Sequence, residues 1–318
     1  MKAELKMVQV ECCICETSSS KVLGAGDDFE YHTTTDAFSV SRCEECDLVF
    51  LNPRPDTSEF ATIYPTNYHA FDFSAEDFGL VHKIRSRLEA RRILSWCRQL
   101  PDDARILDIG CGDGFHLDLL RKFGKKTWQL AGIDIDPRAV ERARASNFAV
   151  HCGSIETLEL KPDQFDLAIM VMTIEHVACP TVALEAAQRL LKPGGKLVVV
   201  TDNTDSIDFA LFKHRHWGGY HFPRHWNLFN RQSFEKLAAK TGFEVVRLTT
   251  QVSPVNWVYS IHNRLVDHRR PQWLVNCFTL KSKLSLGAFT LLDIALGWIG
   301  RGALLNATIR KPLTTDDQ

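Results

Sequence analysis

The chain has 318 residues, 45% hydrophobic and 24% charged, with a formal net charge of -1. This composition excludes a disordered or collagen-like chain, provides for a sizeable core, and the length suggests two domains. Met1 to Val10 alternates charged and apolar residues without the apolar stretch of an export signal, so the ten cysteines are expected as thiols in the cytoplasm.

The near-neutral total hides an asymmetry. Residues 1–78 hold five Lys/Arg against fifteen Asp/Glu, a balance of -10, which leaves +9 for the remainder. Within this acidic leader stand Cys12-x-x-Cys15 and Cys43-x-x-Cys46. Four thiolates at this spacing suit a tetrahedral Zn²⁺ site, with two sulfurs on one side of each tight turn. Cys13 is an alternative to Cys12. Four thiolates leave no open position, so the metal is expected to be structural. Four unmetalled cysteines, or a redox C-x-x-C, are the competing readings. Nucleic acid is disfavoured as a partner, because an acidic leader lacks the basic footprint that phosphates require.

Leu80 to Leu100 reads as an amphipathic helix. Arg105-Ile-Leu-Asp-Ile-Gly-Cys-Gly-Asp-Gly114 follows, and a helical pattern runs from Phe115 to Phe123. That is a buried strand, a glycine turn and a helix start, the layout of a nucleotide-type cofactor loop. The spacing is G-x-G-x-G, whereas a dinucleotide fingerprint places its third glycine one residue later. Asp108 and Asp113 beside the turn would repel a diphosphate and suit a cationic ligand. Gln129 to Asp134 is a second strand ending in an acid, and Asp136-Pro137 is a helix N-cap with proline at the first position. Phe148 to His151 is a third strand. Phe165 to Met172 is a continuous apolar run fit for a central parallel strand, followed by Thr173-Ile-Glu-His-Val177. Pro180 to Leu191 is a helix, and the Pro-Gly-Gly turn leads into a fifth strand ending near Val200. Trp217-Gly-Gly-Tyr-His-Phe-Pro-Arg-His-Trp-Asn-Leu-Phe229 comes next, where open α/β sheets place their ligands. Arg231 to Thr241 is a helix with Gly242 as its C-cap. Phe243 to Gln251 and Ala303 to Arg310 are the last two strands. Between them lies an apolar, aromatic insertion, Pro254 to Gly302.

In this order and at these spacings, the glycine turn, Asp134, "EHV" and "LLKPGGKLVVV" resemble class I S-adenosylmethionine (SAM)-dependent methyltransferases, in particular the ubiquinone-type small-molecule branch. The resemblance covers roughly residues 85–250. It implies an α/β, Rossmann-like seven-stranded sheet of order 3-2-1-4-5-7-6, with a small N-terminal zinc ribbon and a helical insertion between the last two strands. It also implies that Asp108, Gly110, Cys111, Gly112 and Gly114 cradle the amino-acid part of SAM. Asp134 and Ile135 would take the ribose side, and Ser154 and Ile155 the adenine. Met172, at the end of the fourth strand, is a further candidate cofactor contact. The knuckles, Leu48-Val-Phe-Leu-Asn-Pro-Arg-Pro55, Ile63-Tyr-Pro-Thr-Asn-Tyr68 and the "GYHxPRH" segment look like a zinc-ribbon subgroup of bacterial methyltransferases, some of which methylate sugars at carbon.

The expected organisation is a leader over 1–78, a SAM-binding core over 79–253, a helical insertion or lid over 254–301, and a final strand with a tail over 302–318. The expected reaction is methyl transfer to oxygen or carbon of a small acceptor, be it sugar, quinone-like, polyketide or lipid-linked. His176, His221 and His225 are the candidate proton acceptors, and Trp217, Tyr220 and Arg224 the candidate substrate contacts. An aromatic loop packed for structure is the alternative there. The basic, apolar insertion suits a peripheral membrane or lipid contact, or an ordinary lid or dimer face. The rival functions are an RNA methyltransferase with a zinc module, a dehydrogenase, and a non-catalytic scaffold that uses the ribbon for partners.

Overall fold

The structure is a computed structural model that describes residues 4–65 and 75–313, with side chains from residue 86 onward in the helix that opens at 75. The second half of the expected Ile63–Tyr68 stretch, residues 66–68, lies outside the described residues, as do 1–3 and 314–318.

The leader forms short strands β1 (Met7–Val8), β2 (Ser20–Gly26), β3 (Phe38–Cys43), β4 (Val49–Leu51) and β5 (Arg54–Pro55), and one helical turn, α1 (Phe60–Ile63). Helix α2 (Ala75–Trp96) leads into the core and buries Ala90, Ile93 and, just beyond its end, Cys97, the three-and-four spacing of one helix face. The core then runs β6 (Arg105–Ile109), α3 (Phe115–Phe123), β7 (Gln129–Asp134), α4 (Pro137–Ala145), β8 (Ala149–Cys152), β9 (Phe165–Val171), α5 (Pro180–Leu190) and β10 (Leu191–Asp202). Next come α6 (Ile207–Phe212), β11 (Asn227–Leu228), α7 (Arg231–Lys240), β12 (Glu244–Gln251), α8 (Val255–Asp267), α9 (Gln272–Asn276), α10 (Lys283–Trp298) and β13 (Leu304–Arg310).

Seven strands form the main sheet in the order β8-β7-β6-β9-β10-β13-β12, with β13 antiparallel to both neighbours. This is the order expected from the sequence. The central strands are covered on both faces: Leu107, Ala168 and Val199 enter one apolar cluster, and Ile106, Leu167 and Val198 another. Each such side chain contributes about 1.5–3 kcal/mol on burial. The strand order reverses between β6 and β9, so the crevice at their carboxyl ends is where this fold receives a ligand.

The boundary expected at residue 78 is crossed by shared structure. The leader sheet runs β11-β4-β3-β2, so its edge strand β11 comes from beyond the core's fifth strand. Cys12, Ile14, Leu48 and Phe50 belong to the same apolar cluster as Leu184, Phe229 and Leu237. Three short strands bury too little apolar surface to stand alone, and the core supplies the rest.

The insertion is helical, as expected, and consists of α8, α9 and α10. Asp293, the charge inside its apolar run, is buried and accepts hydrogen bonds from Ser253 N–H (2.8 Å) and Ala303 N–H (3.0 Å). It thereby ties both ends of the insertion to the sheet. Among the described residues no helix is long and apolar enough to cross a membrane.

Candidate active site at the carboxyl edge of the sheet

The glycine turn after β6 is built tightly. Gly110, Gly112 and Gly114 have φ of 77°, 55° and 91°, the left-handed region that side chains resist. A Cβ on Gly110 would lie 2.3 Å from Thr173 Oγ1, so only glycine lets this turn meet the loop after β9. Gly110 and Cys111 N–H both donate to Ile133 O, and Gly112 N–H donates to Asp134 Oδ2 (2.7 Å). Asp134 Oδ1 also accepts from Asp136 N–H (2.8 Å). The acid at the end of β7 therefore locks the turn while each oxygen keeps a free lone pair.

Asp108 is buried, and among the described residues neither carboxylate oxygen has a hydrogen-bond partner. The nearest cation is His116, whose Nδ1 is 3.6 Å away. A buried carboxylate without donors is costly unless a ligand completes it. An ammonium-bearing ligand supplies that complement. Ile135 and Met172 end the strands on either side of β6 and leave apolar side chains exposed there. Cradle, orphaned acid and apolar flanks fit SAM.

The three candidate histidines converge beside this turn. Ring centroids are 4.6 Å apart for His176 and His225, and 5.0 Å for His221 and His225. His176 N–H donates to Thr173 O (3.0 Å), which ties it to the residue facing Gly110. Its Nδ1 lies 2.9 Å from Tyr64 Oη and 3.2 Å from Arg224 O. Burial, then the neighbouring His225 and His221, hold His176 well below the ordinary imidazole pKa. It is therefore neutral at pH 7. His225 differs. Burial opposes its charge, but Asp202 Oδ2 at 3.0 Å and Glu175 outweigh this and raise its pKa. His225 Nδ1–H points at Gly219 O (2.8 Å), so Asp202 Oδ2 acts through charge and keeps no hydrogen-bond donor of its own. Burial lowers His221 despite Glu30 Oε1 at 2.8 Å. Glu175 is buried and accepts from Thr201 Oγ1 (2.8 Å). Burial pushes its carboxyl up to about 7.

A family profile for a methyltransferase domain matches residues 80–248, more than half of the chain. The chain belongs to this methyltransferase family. SAM is its cofactor. An uncharacterized 37.1 kDa protein in transposon TN4556 of Streptomyces fradiae is 38% identical over 106 residues, 32% of this chain and 31% of that protein. A ubiquinone biosynthesis O-methyltransferase of Xanthomonas euvesicatoria is 36% identical over 115 residues, 34% of this chain and 47% of the relative. These two relatives are thus matched over a third to a half of their length. A ubiquinone biosynthesis O-methyltransferase of Cereibacter sphaeroides is 27% identical over 248 residues, 74% of this chain and 94% of the relative. Among solved structures, a SAM-dependent methyltransferase of Thermotoga maritima, described as a possible histamine N-methyltransferase, aligns with a TM-score of 0.48 at 24% identity. The alignment covers 74% of this chain and 93% of that one.

Several expected contacts of the methyltransferase sit elsewhere than anticipated. Cys111 and Ile155 are buried in apolar clusters, so their side chains face away from the turn. Ser154 remains partly exposed after β8. Trp217, Tyr220 and Arg224 are interior. Each is at most 1% exposed. Trp217 Nε1–H donates to Asp208 Oδ2 (2.6 Å), and the Tyr220 hydroxyl donates to Lys213 O. Arg224 forms a bidentate pair with Asp28 at 3.2 and 3.1 Å and lies over the Tyr31 ring. Their size and polar tips are used to pack and hold the histidine loop from behind.

The sequence reading missed Tyr64, Asp202, Glu30 and Asp28. Asp202 ends the fifth strand after an apolar run, as Asp134 ends the second, and that signal was available. Asp28 and Glu30 are isolated acids with no local pattern. They account for part of the charge asymmetry: Asp27, Asp28 and Glu30 pair with Arg215, Arg224 and His221. Burial works against the Asp28 carboxylate, but Arg224 and Thr33 hold it at about 2, below its usual 3.8. Its pairing therefore stabilises the fold fully above 3.8 and is lost as pH falls from there toward 2. Asp28→Asn is expected to cost about 3–5 kcal/mol in urea unfolding, since it removes the carboxylate charge from beside a buried guanidinium. Asp28→Leu with Arg224→Met should restore much of that. Equal stability of the single variant and wild type would contradict the pairing.

The four predicted cysteines Cys12, Cys15, Cys43 and Cys46 bring their sulfurs within 4.8 Å of one another. Both knuckles have one geometry. Glu16 N–H donates to Cys12 O and Asp47 N–H to Cys43 O, and Glu16 and Asp47 take φ of 54° and 68°. Tetrahedral Zn–S bonds of ~2.3 Å place sulfurs about 3.8 Å apart, and here Cys12 and Cys46 Sγ are 3.5 Å apart with all four sulfurs within 4.8 Å. Cys13 points elsewhere, with Sγ 3.7 Å from Asn227 Oδ1.

Proposed function

We propose that this methyltransferase moves the SAM methyl group to an oxygen or carbon of a small acceptor, with His176 taking the acceptor's proton. One observation carries the reading: the His176 imidazole stands beside the glycine turn, 4.6 Å from the His225 ring and backed by His221 and three carboxylates. Bound SAM supplies an electrophilic methyl group on a sulfonium, already a good leaving group. Asp108, Asp134 and the turn's backbone would hold it, with Ile135 and Met172 as apolar flanks. Alignment is the protein's main task. The acceptor's oxygen or carbon would attack the methyl carbon as the methyl–sulfur bond breaks and its electron pair stays on the sulfur, while His176 would accept the acceptor's proton and leave the O–H or C–H pair on the acceptor. His225, Asp202 and Glu175 set the charge around it. The ubiquinone biosynthesis O-methyltransferases among the relatives support an oxygen acceptor.

We also propose that Cys12, Cys15, Cys43 and Cys46 hold a structural Zn²⁺, supported by their spacing and matching knuckles, and that the enzyme works in the cytoplasm. Calorimetric titration tests the cofactor site. SAM is expected to bind wild type and to bind Asp134→Ala at least about tenfold more weakly, the worth of one charge-assisted hydrogen bond. Absence of binding to wild type would end the reading, and equal binding to both would remove Asp134 from the site.

A further inference from the structure

Helix α10 carries a face that nothing among the described residues covers. Leu284, Ala288, Leu291, Ala295 and Trp298 recur at three- and four-residue spacing, so they share one side of the helix, and all are exposed. Leu284 is 89% exposed, Leu291 71% and Trp298 83%, and Ile299 and Trp273 are each 70% exposed. The opposite side is satisfied: Phe289 stacks on Trp257, and Asp293 is buried. A single surface leucine needs no account, but an unbroken apolar stripe of this length marks an interaction site.

The charges around it identify the occupant. Residues 254–302 contain Arg264, Arg269, Arg270, Lys281, Lys283 and Arg301, all exposed. The same span has two acids. Asp267 is engaged by Arg215 and His216, and Asp293 is interior. Arg269 and Arg270 lead directly to exposed Trp273, and Lys281 and Lys283 to exposed Leu284. Apolar side chains with tryptophans among them, in an insertion whose charges are six exposed cations against one paired and one buried acid, are the chemistry of a helix lying in the interface of an anionic bilayer. A second copy fits worse. A two-fold contact would set this patch against itself and bring like charges together.

We propose that the α9–α10 face docks the enzyme on an anionic lipid surface. The docking concerns where the enzyme sits and is independent of which atom it methylates. It is tested by sedimenting the full chain with phosphatidylcholine vesicles, with and without phosphatidylglycerol. Wild type is expected to partition onto the anionic vesicles, less so as salt rises, and only weakly onto neutral ones. Leu291→Asp/Trp298→Asp should lower that partition at least about tenfold. Lys281→Glu/Lys283→Glu should lower it on anionic vesicles alone. SAM titration of the same variants, expected unchanged, reports that they fold. The proposal is overturned if wild type stays in the supernatant with anionic vesicles, or if binding ignores lipid charge and salt. It is also overturned if light scattering shows a concentration-dependent dimer that Leu291→Asp/Trp298→Asp abolishes.

Discussion

His176→Ala is expected to lower kcat/KM by about two to four orders of magnitude, the range of a positioned general base, while SAM affinity stays within about twofold of wild type. The separation follows from geometry: His176 is held by Tyr64 and Arg224 and not by the glycine turn's hydrogen bonds. The pH dependence is the second readout. A base must be unprotonated to work, and His176 lies well below 6.5 because burial and two neighbouring imidazoles disfavour its charge. The acid limb of kcat/KM should therefore fall below 6.5, with a plateau through neutrality. His225 is raised, so a limb above 6.5 that disappears in His225→Asn would move the role to that residue. A limb near 7 that disappears in Glu175→Gln would belong to the carboxyl that burial pushes up to about 7. A mild effect of His176→Ala would point to an acceptor without a proton to lose, such as an amine.

Removal of the proposed zinc is expected to have the other large effect. Structural zinc contributes on the order of 10–16 kcal/mol to isolated zinc-finger peptides. Less is at stake here, because Cys12, Cys43, Cys46, Leu48 and Phe50 also pack into the apolar cluster of the core. Chelation, or Cys43→Ser, is still expected to lower Tm by roughly 10 °C or more, given about 2–4 °C per kcal/mol for a chain near this size. Activity should fall with it, since β4 of the leader pairs with β11 of the histidine loop. Elemental analysis should find zinc equimolar with the chain. Cys13→Ser should leave both metal and Tm in place, because its sulfur faces Asn227. Metal-free protein with an unchanged melting curve would dispose of the zinc site.

Local signals made much of this molecule legible. The seven strands follow from apolar runs of strand length, from the Pro-Gly-Gly and glycine turns, and from helix caps at Asp136 and Gly242, and their order from the family resemblance those motifs carry. Each signal lies within a dozen residues, where periodicity and turn chemistry act. The cofactor turn, Asp134 and the two cysteine knuckles were readable for the same reason, since each is a fixed spacing of special residues. What the histidine loop does was not. Its two tryptophans, tyrosine and arginine suggest a cleft wall, yet Trp217, Tyr220 and Arg224 are interior.

Their partners explain why. Arg224 meets Asp28 across 196 residues, and His221 meets Glu30 across 191. Contacts between such distant, isolated residues leave no periodic trace in the chain. The sequence by itself determined the sheet, the cofactor turn and the grouping of four thiols, because those depend on neighbours. Tertiary structure alone decided that leader and core share a sheet, that three histidines form one cluster, and that one face of α10 is left bare by the described residues. Each of these depends on which distant surfaces are removed from water together.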